Sequence, residues 1–319
     1  MRPRSGRRRS ATFPAGQAVV PARAYWGSSL ERAQLPDTVT TIGASAFHGC
    51  TRLTSVSIPA SVTSIGESAF ACCTELTSVV LPDSVTTLGA GAFAGCSSLA
   101  SEKLPRGLLV VNARAFACCT SLTSISLPET VTTIGEGAFS ACSSLTSAAL
   151  PNSTRSLGTR AFARCSSLER VEMPAAIASI GASAFLGCSS LAHVSLPTST
   201  VTLGERAFDQ CSSLAHLEVP VGARVGPNAF RGCSGHLQDG AAENMGETLP
   251  RAGWGPPSPR IAREPPSTPK LSSRRSQPEC EVYVRGTYPS RHCGGAGSRP
   301  WHLSYRKRKL RFLAGTRTT

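Results

Sequence analysis

The residues of this chain that could carry chemistry are its thiols and hydroxyls, which are numerous and evenly spaced. Residues 119–139 read CTSLTSISLPETVTTIGEGAF and combine a cysteine with a series of serines and threonines. A thiol or hydroxyl becomes a catalytic nucleophile when a neighbouring base or a lowered pKa activates it. The question for Cys119 is therefore whether its surroundings supply such activation or only packing.

The same stretch recurs along the chain with a fixed period, which favours a structural role for these groups. Ala-Phe pairs recur every 23 residues, with one final step of 22, and a proline keeps the same period. Such a period is typical of a solenoid, in which each repeat is a small unit that packs on its neighbours. A nucleophile does not need nine copies, so Cys119 is predicted to belong to a ladder of buried thiols. The ladder thiols are Cys50, Cys73, Cys96, Cys119, Cys142, Cys165, Cys188, Cys211 and Cys233.

Each repeat must supply a short strand, a turn and an aromatic ring for the core. The segment C-x-x-L-x-x-V-x-[IL]-P predicts a strand with inward residues such as Leu53, Val56 and Ile58. The proline that follows lacks an amide donor and ends the strand. The next segment, V-x-x-[IL]-G, is predicted to place two more apolar residues inward, and its glycine is assigned to a tight turn with positive φ.

These residues resemble the BspA-like leucine-rich repeats, whose unit runs roughly L-x-x-[IV]-x-[IL]-P-x-S-[VL]-x-x-I-G-x-x-A-F-x-x-C. The match covers residues 27–234, about nine repeats, with Gly27 where later repeats carry cysteine. The resemblance implies a curved solenoid of the leucine-rich-repeat type with a parallel β-sheet on its concave face and short turns or helical segments elsewhere. It also implies a protein-interaction surface and not an enzyme, so no catalytic residue and no cofactor are predicted.

One repeat departs from the pattern in a way that predicts a distortion. Glu102 stands at an inward position where neighbouring repeats have Val79 or Ile125, and Asn112 replaces the glycine. Burial of an unpaired carboxylate is costly or forces the group to take up a proton. The chain around residues 99–112 is therefore predicted to be distorted.

The charge of the chain lies outside the repeats and divides it into three segments. The net charge is +14, but residues 35–239 carry 11 Lys and Arg against 13 Asp and Glu. Residues 1–26 are predicted to be a basic, disordered segment, residues 27–234 the solenoid, and residues 235–319 a Pro- and Arg-rich, mostly disordered basic tail. The sequence contains no stretch apolar enough for a secretory signal or a membrane span, and no membrane partner is predicted.

The cysteine pattern bears on the compartment. Nine of the thirteen cysteines occupy one repeat position, which argues against a disulfide scaffold, and without a secretory signal a reducing compartment is predicted. The expected location is intracellular, with the cytoplasm favoured; the arginine-rich start leaves an organelle open and the basic tail leaves the nucleus open. In the tail, Cys280, His292 and Cys293 lack a recognised zinc spacing, so no metal site is predicted.

The outward positions of the predicted strand are where a partner could be recognised. The first five repeats place serine at one of these positions, whereas the last three are charged. The candidate partner-binding residues are Arg170, Glu172, His193, His216 and Glu218. Their mixed charge favours a polar protein segment over nucleic acid, because the two acids would repel phosphate. A solvated face without function is the alternative.

A basic run in the tail supports a second hypothesis. Arg306, Lys307, Arg308 and Lys309 lie near aromatic residues and could bind nucleic acid, serve as a nuclear import signal, or form a solvated tail. The sequence thus predicts a non-catalytic protein–protein interaction module. The alternatives are a nucleic-acid-associated protein that binds through its tail and a divergent gene product without a selected ligand.

Overall fold

The structure is a computed structural model that describes residues 10–11, 13–14, 16–234 and 236–237. Within these residues the chain forms a parallel β-solenoid of about nine turns. The predicted leucine-rich-repeat fold is thereby confirmed. The connections between strands are turns, and the described residues contain no helix, so none that could cross a membrane.

Each coil of the solenoid carries two short strands. In chain order the strands of the described residues are β1 (Val19–Val20), β2 (Arg32–Gln34), β3 (Thr41–Ile42), β4 (Ser55–Ser57), β5 (Ser64–Ile65), β6 (Ser78–Val79), β7 (Thr87–Leu88), β8 (Ser101–Lys103), β9 (Val110–Val111), β10 (Ser124–Ser126), β11 (Thr133–Ile134), β12 (Ser147–Ala149), β13 (Ser156–Leu157), β14 (Arg170–Glu172), β15 (Ser179–Ile180), β16 (His193–Val194), β17 (Thr202–Leu203), β18 (His216–Leu217), β19 (Arg224–Val225) and β20 (His236–Leu237).

The strands form two parallel ladders, which we call the first ladder (even-numbered strands) and the second ladder (odd-numbered strands). The first ladder consists of the sheets β2-β4-β6, β8-β10 and β12-β14-β16-β18-β20, and the second of β1-β3-β5-β7 and β9-β11-β13-β15-β17-β19. Equivalent residues of successive coils are in register, as Val56 and Val79 are in the first ladder. The first ladder is the strand predicted from the sequence. The second was predicted only as a pair of inward apolar positions.

A stack of aromatic rings runs through the core. The ring centroids of Phe47 and Phe70 lie 5.2 Å apart with nearly parallel planes, and similar stacking continues to Phe230. Tyr25 adds one ring at the N-terminal end, at 5.2 Å from Phe47, and Phe13 packs edge-on against Tyr25. Stacked pairs of this kind contribute about 0.5–1.5 kcal/mol each beyond burial. The stack therefore ties every coil to both of its neighbours.

The solenoid begins earlier than the sequence predicted. β1 pairs with β3, and Tyr25 takes the phenylalanine position of this first coil. The cysteine position is filled by Ser28, whose Oγ lies 3.2 Å from the Sγ of Cys50, and not by Gly27. Gly27 instead adopts a left-handed φ of 63° in the preceding turn. The predicted boundary between residues 26 and 27 therefore falls inside a coil, because the first step of the repeat is 22 residues and not 23.

The recurring glycines are required by the close approach of successive coils. A Cβ atom on Gly89 would lie 2.4 Å from the backbone nitrogen of Glu67, a distance that a real Cβ does not reach. The prediction of positive φ at these glycines was wrong, because the left-handed residues lie two and six positions further on, at Gly91 and Gly95 in this coil. The glycines of this position are Gly43, Gly66, Gly89, Gly135, Gly158, Gly181, Gly204 and Gly226.

The distortion predicted around residues 99–112 is confirmed. Both ladders are interrupted between the same two coils, since β6 does not pair with β8 and β7 does not pair with β9. Glu102 is buried, as its position predicts, and only 6% of its surface is exposed. The coil with the least regular sequence is thus the one that fails to continue either ladder.

Candidate functional site

The ladder thiols are hydrogen-bond donors, and all of them are buried except Cys233, which is partly buried. The thiol of Cys119 donates to the backbone carbonyl of Phe93 in the preceding coil, with the sulfur 3.2 Å from the oxygen. The other thiols after Cys50 make the same bond at 3.1–3.2 Å. Burial raises the pKa of Cys142 to about 12, and it raises the pKa of Cys119 well above the usual range. Because the thiolate is the reactive form, these surroundings suppress nucleophilic chemistry at Cys119.

The hydroxyls of the repeat also bond to the preceding coil. Thr120 Oγ1 donates to the carbonyl of Ser97 at 3.4 Å, and Ser97 Oγ donates to the carbonyl of Thr74 at 3.3 Å. Even the fully buried Thr154 donates, to the carbonyl of Val131 at 3.1 Å. These hydroxyls therefore satisfy carbonyl oxygens along the solenoid, and the many serines and threonines are accounted for as scaffold. The continuous ladder of such bonds is made by Thr74, Ser97, Thr120, Ser143, Ser166, Ser189 and Ser212.

Metal chemistry has no counterpart in the part of the chain that the structure describes. No group of three or more His, Cys, Asp or Glu residues there is arranged to hold a metal ion. The tail residues Cys280, His292 and Cys293 lie outside the described residues, and so does the basic run from Arg306 to Lys309. Hypotheses about the tail therefore stay predictions.

The candidate binding residues lie on the outward side of the first ladder. Arg170 on β14 is in register with His193 on β16, and His193 is in register with His216 on β18. The side chains of Arg170, Glu172 and His193 are exposed, while Val171 and Val194 between them point into the core. The predicted column of one arginine and two histidines is thus present in the backbone register. That it binds a partner remains a prediction.

The acidic residues flank this column. Glu172 ends β14, and Glu218 directly follows β18; both are exposed. Among the described residues, no ion pair engages Arg170, Glu172 or Glu218. Their charges are therefore available to a ligand without first breaking an internal pair.

Sequence reasoning missed two members of the column. At the C-terminal end, His236 on β20 is in register with His216, two residues beyond the predicted end of the solenoid. At the N-terminal end, Arg32 on β2 is in register with Ser55. The step from His216 to His236 is 20 residues, so counting by 23 passes over it. The His-Leu pair that occurs at 216–217 and again at 236–237 is the signal that could have found it.

The geometry defines a class of protein: a leucine-rich-repeat solenoid with two parallel ladders, a phenylalanine stack and a thiol ladder. Residues 18–122 and 109–236 match the family description "BspA type Leucine rich repeat region (6 copies)". Because these matches span more than half of the 319 residues, the chain belongs to the BspA-type leucine-rich repeat family. Proteins with such repeats generally act as protein-interaction modules.

Solved structures of bacterial proteins resemble this one. A leucine rich cell surface protein from Faecalibacterium prausnitzii A2-165 is 28% identical, with a TM-score of 0.51, over 72% of this chain and 80% of that chain. A leucine-rich repeat protein from Bacteroides ovatus is 24% identical, with a TM-score of 0.42, over 71% and 87%. The leucine rich repeat protein of T. pallidum is 28% identical, with a TM-score of 0.37, over 66% and 78%. No curated protein sequence matches the chain.

Proposed function

We propose that the protein is a non-catalytic binding module and that the charged end of its first ladder binds a polar segment of a protein partner. The observation that supports this proposal is the column of Arg170, His193 and His216 on adjacent strands. The five coils directly before it place exposed serines at the same position, so the column is not a by-product of the repeat. These serines are Ser55, Ser78, Ser101, Ser124 and Ser147.

The chemistry of the column selects the kind of partner. Adjacent strands are about 4.8 Å apart, so an arginine and two histidines in register form a closely spaced row that suits an extended acidic or polar chain. Arginine binds a carboxylate with two parallel hydrogen bonds, which adds geometric selectivity. Glu172 and Glu218 disfavour a polyphosphate and suit a segment that also carries Lys or Arg.

Removal of the column tests the proposal. In the variant Arg170→Ser, His193→Ser and His216→Ser, each position takes the residue of the upstream coils and the core is untouched. We expect this variant to fold like the parent and to lose partners that the parent captures. A recovered partner is then titrated calorimetrically against both purified proteins.

The matched control is Arg155→Thr with Arg224→Thr, which removes two exposed positive charges outside the column. This control should keep every partner if the column is the binding site. A triple variant that folds normally and binds each partner with unchanged affinity would overturn the proposal. Deletion of residues 240–319 separates the tail hypothesis, because binding through the basic tail would disappear while binding through the column would persist.

A further inference from the structure

The boundary between the coil of Val79 and the coil of Glu102 is the only one in the described residues at which both ladders are interrupted. β6 and β8 do not pair, and neither do β7 and β9. The first ladder is also interrupted between β10 and β12. At that boundary the second ladder is continuous, because β11 pairs with β13. The boundary at Glu102 therefore lacks the continuous backbone bonding that joins the other coils.

Asn112 gives a steric reason for the break in the second ladder. It occupies the glycine position, where neighbouring coils leave no room for a Cβ: at Gly135 that atom would lie 2.8 Å from the nitrogen of Ala113. The Cβ of Asn112 thus holds its coil away from the one before. Where Gly135 donates its backbone amide to the carbonyl of Val111, Asn112 reaches the carbonyl of Leu88 with its side-chain Nδ2, at 2.7 Å.

Hydroxyl bonds are also missing across this boundary. In the next coil, three threonines donate hydrogen bonds to backbone carbonyls of the coil of Glu102. The coil of Glu102 has residues without a hydroxyl at these three positions. The three are Ala100, Gly107 and Leu109, and their counterparts are Thr123, Thr130 and Thr132. The coils are therefore joined by fewer hydrogen bonds on the ladder sides.

The phenylalanine side of the same boundary is intact. Phe93 donates its amide to the carbonyl of Ala115 at 2.8 Å, and Gly95 donates to Ala117 at 2.7 Å. The rings of Phe93 and Phe116 remain stacked at 5.5 Å. On the ladder sides only isolated bonds cross the boundary, from the Ala100 amide to Thr77 at 3.3 Å, from Asn112 to Leu88, and from Arg106 to the Asp83 carboxylate at 2.8 Å. Two coils that are bonded continuously along one side and only at isolated points along the ladders have the geometry of a hinge.

Glu102 adds a charge-sensitive element to this hinge. It is buried, its Oε2 has no hydrogen-bond partner, and it is in register with the apolar Ile125. Burial raises the pKa of Glu102 to about 8, opposed by a hydrogen bond from the amide of Lys103. The buried thiol of Cys96 lies beside it; burial raises the pKa of this thiol, and the Glu102 carboxylate raises it further.

We propose that the solenoid has a joint between these two coils, and that ionisation of Glu102 separates the ladders there while the phenylalanine side holds. A buried carboxylate without a cation partner is stabilised when water reaches it. Separation of the unpaired ladders admits water and breaks isolated hydrogen bonds, those of Ala100, Asn112 and Arg106, where other boundaries would lose a continuous ladder. While Glu102 is protonated the two blocks of coils stack as one array; once Glu102 ionises they move independently. This proposal does not depend on the binding function proposed above.

Hydrogen exchange of the full chain, followed by mass spectrometry, tests the joint. We expect amides of residues 100–112 to exchange faster than their equivalents at 123–135, since β8 and β9 do not pair with the strands of the preceding coil, whereas β10 and β11 do. Comparison of the parent with Glu102→Gln at the same pH cancels the chemical effect of pH on exchange. The ratio of the exchange rate in the parent to that in the variant should grow at least about tenfold between about pH 6 and about pH 8.5.

Two further variants sharpen the test. Asn112→Gly restores the residue that the other coils carry and should slow exchange in this segment. Lys103→Ser changes an exposed charge beside Glu102 and should leave the pH response as in the parent. Equal protection in the segments 100–112 and 123–135 would overturn the joint. A pH response that Glu102→Gln retains would overturn the role of Glu102; if that variant fails to fold, Glu102→Val, which restores the residue of the preceding coil, gives the same comparison.

Discussion

Single side chains in this protein act mainly across the boundary between coils. Phe139 has no exposed surface, and its ring stacks on Phe116 at 5.7 Å and on Phe162 at 5.2 Å. The thiol beside it, Cys142, donates to the carbonyl of Phe116. Truncation of one ring therefore removes contacts from three coils at once.

We expect Phe139→Ala to lower the free energy of unfolding by about 3–5 kcal/mol, as for other buried aromatic residues. Denaturant unfolding followed by circular dichroism measures this loss. Phe230→Ala should cost less, because Phe230 is partly exposed and has one stacking neighbour among the described residues. A loss below about 1 kcal/mol for Phe139→Ala would show that the stack does not hold the coils together.

Glu102 predicts a pH dependence whose sign follows from the burial of its carboxyl. Its pKa is about 8 in the folded protein and near 4.5 when unfolded, so the native state keeps the proton longer. The contribution of Glu102 to stability is complete below about pH 4.5 and is lost as the pH rises to about 8, by up to about 5 kcal/mol. Urea unfolding at several pH values should show this slope in the parent and not in Glu102→Gln.

The thiols predict slow chemistry in the native protein. Under reducing conditions the ladder thiols should react with a thiol reagent only as fast as the coils open, because burial keeps them protonated. Cys280 and Cys293, which lie outside the described residues, are predicted to react quickly. Mass spectrometry of labelled peptides at successive times distinguishes the two groups. Isolation of the native protein with its ladder thiols already oxidised would contradict the predicted reducing compartment.

At the scale of elements, the two ladders depend on how closely successive coils approach. The period of the sequence predicted the first ladder, the inward residues and the thiol ladder, because each position recurs in nearly every coil. It misassigned the glycines, because glycine is favoured both in a left-handed turn and where two backbones approach closely. The distance from a Cβ on Gly89 to the backbone of Glu67 shows that the second reason applies. It also missed Tyr25 and His236, because the steps at both ends of the array depart from 23 residues.

We expect Gly158→Ala to destabilise the protein by about 1–3 kcal/mol or more, as overpacked cores do. The new Cβ would lie 2.6 Å from the backbone carbon of Gly135, and backbone cannot move aside as a side chain can. Ser156→Ala, two residues earlier on β13, is the control and should be nearly neutral. Thermal unfolding of both variants provides the measurement. Equal stability of the two variants would contradict the steric assignment of the glycines.

At the scale of the molecule, the array combines a uniform scaffold with non-uniform surfaces. Each coil contacts only its neighbours, so the hydrogen bonds, rings and thiols specify how coils stack but leave outward side chains unconstrained. Charge is accordingly unevenly distributed: serines line the middle of the first-ladder column, and Arg170 and His193 mark its C-terminal part. The repeat period predicts which residues lie on the outward side of the strands, but it does not predict the partner that they bind.

If this column binds an acidic segment, its histidines should make binding depend on pH. Histidine is the side chain that most often gains a positive charge on mild acidification, and added positive charge beside Arg170 favours an acidic ligand. We therefore expect a captured partner with an acidic segment to bind about two- to tenfold more tightly at about pH 6 than at about pH 7.5. Calorimetric titration of the parent and of His193→Gln with His216→Gln measures this difference. The double variant should bind equally at both values, whereas a pH response that survives in it would assign the titration to the partner and remove the histidines from the site.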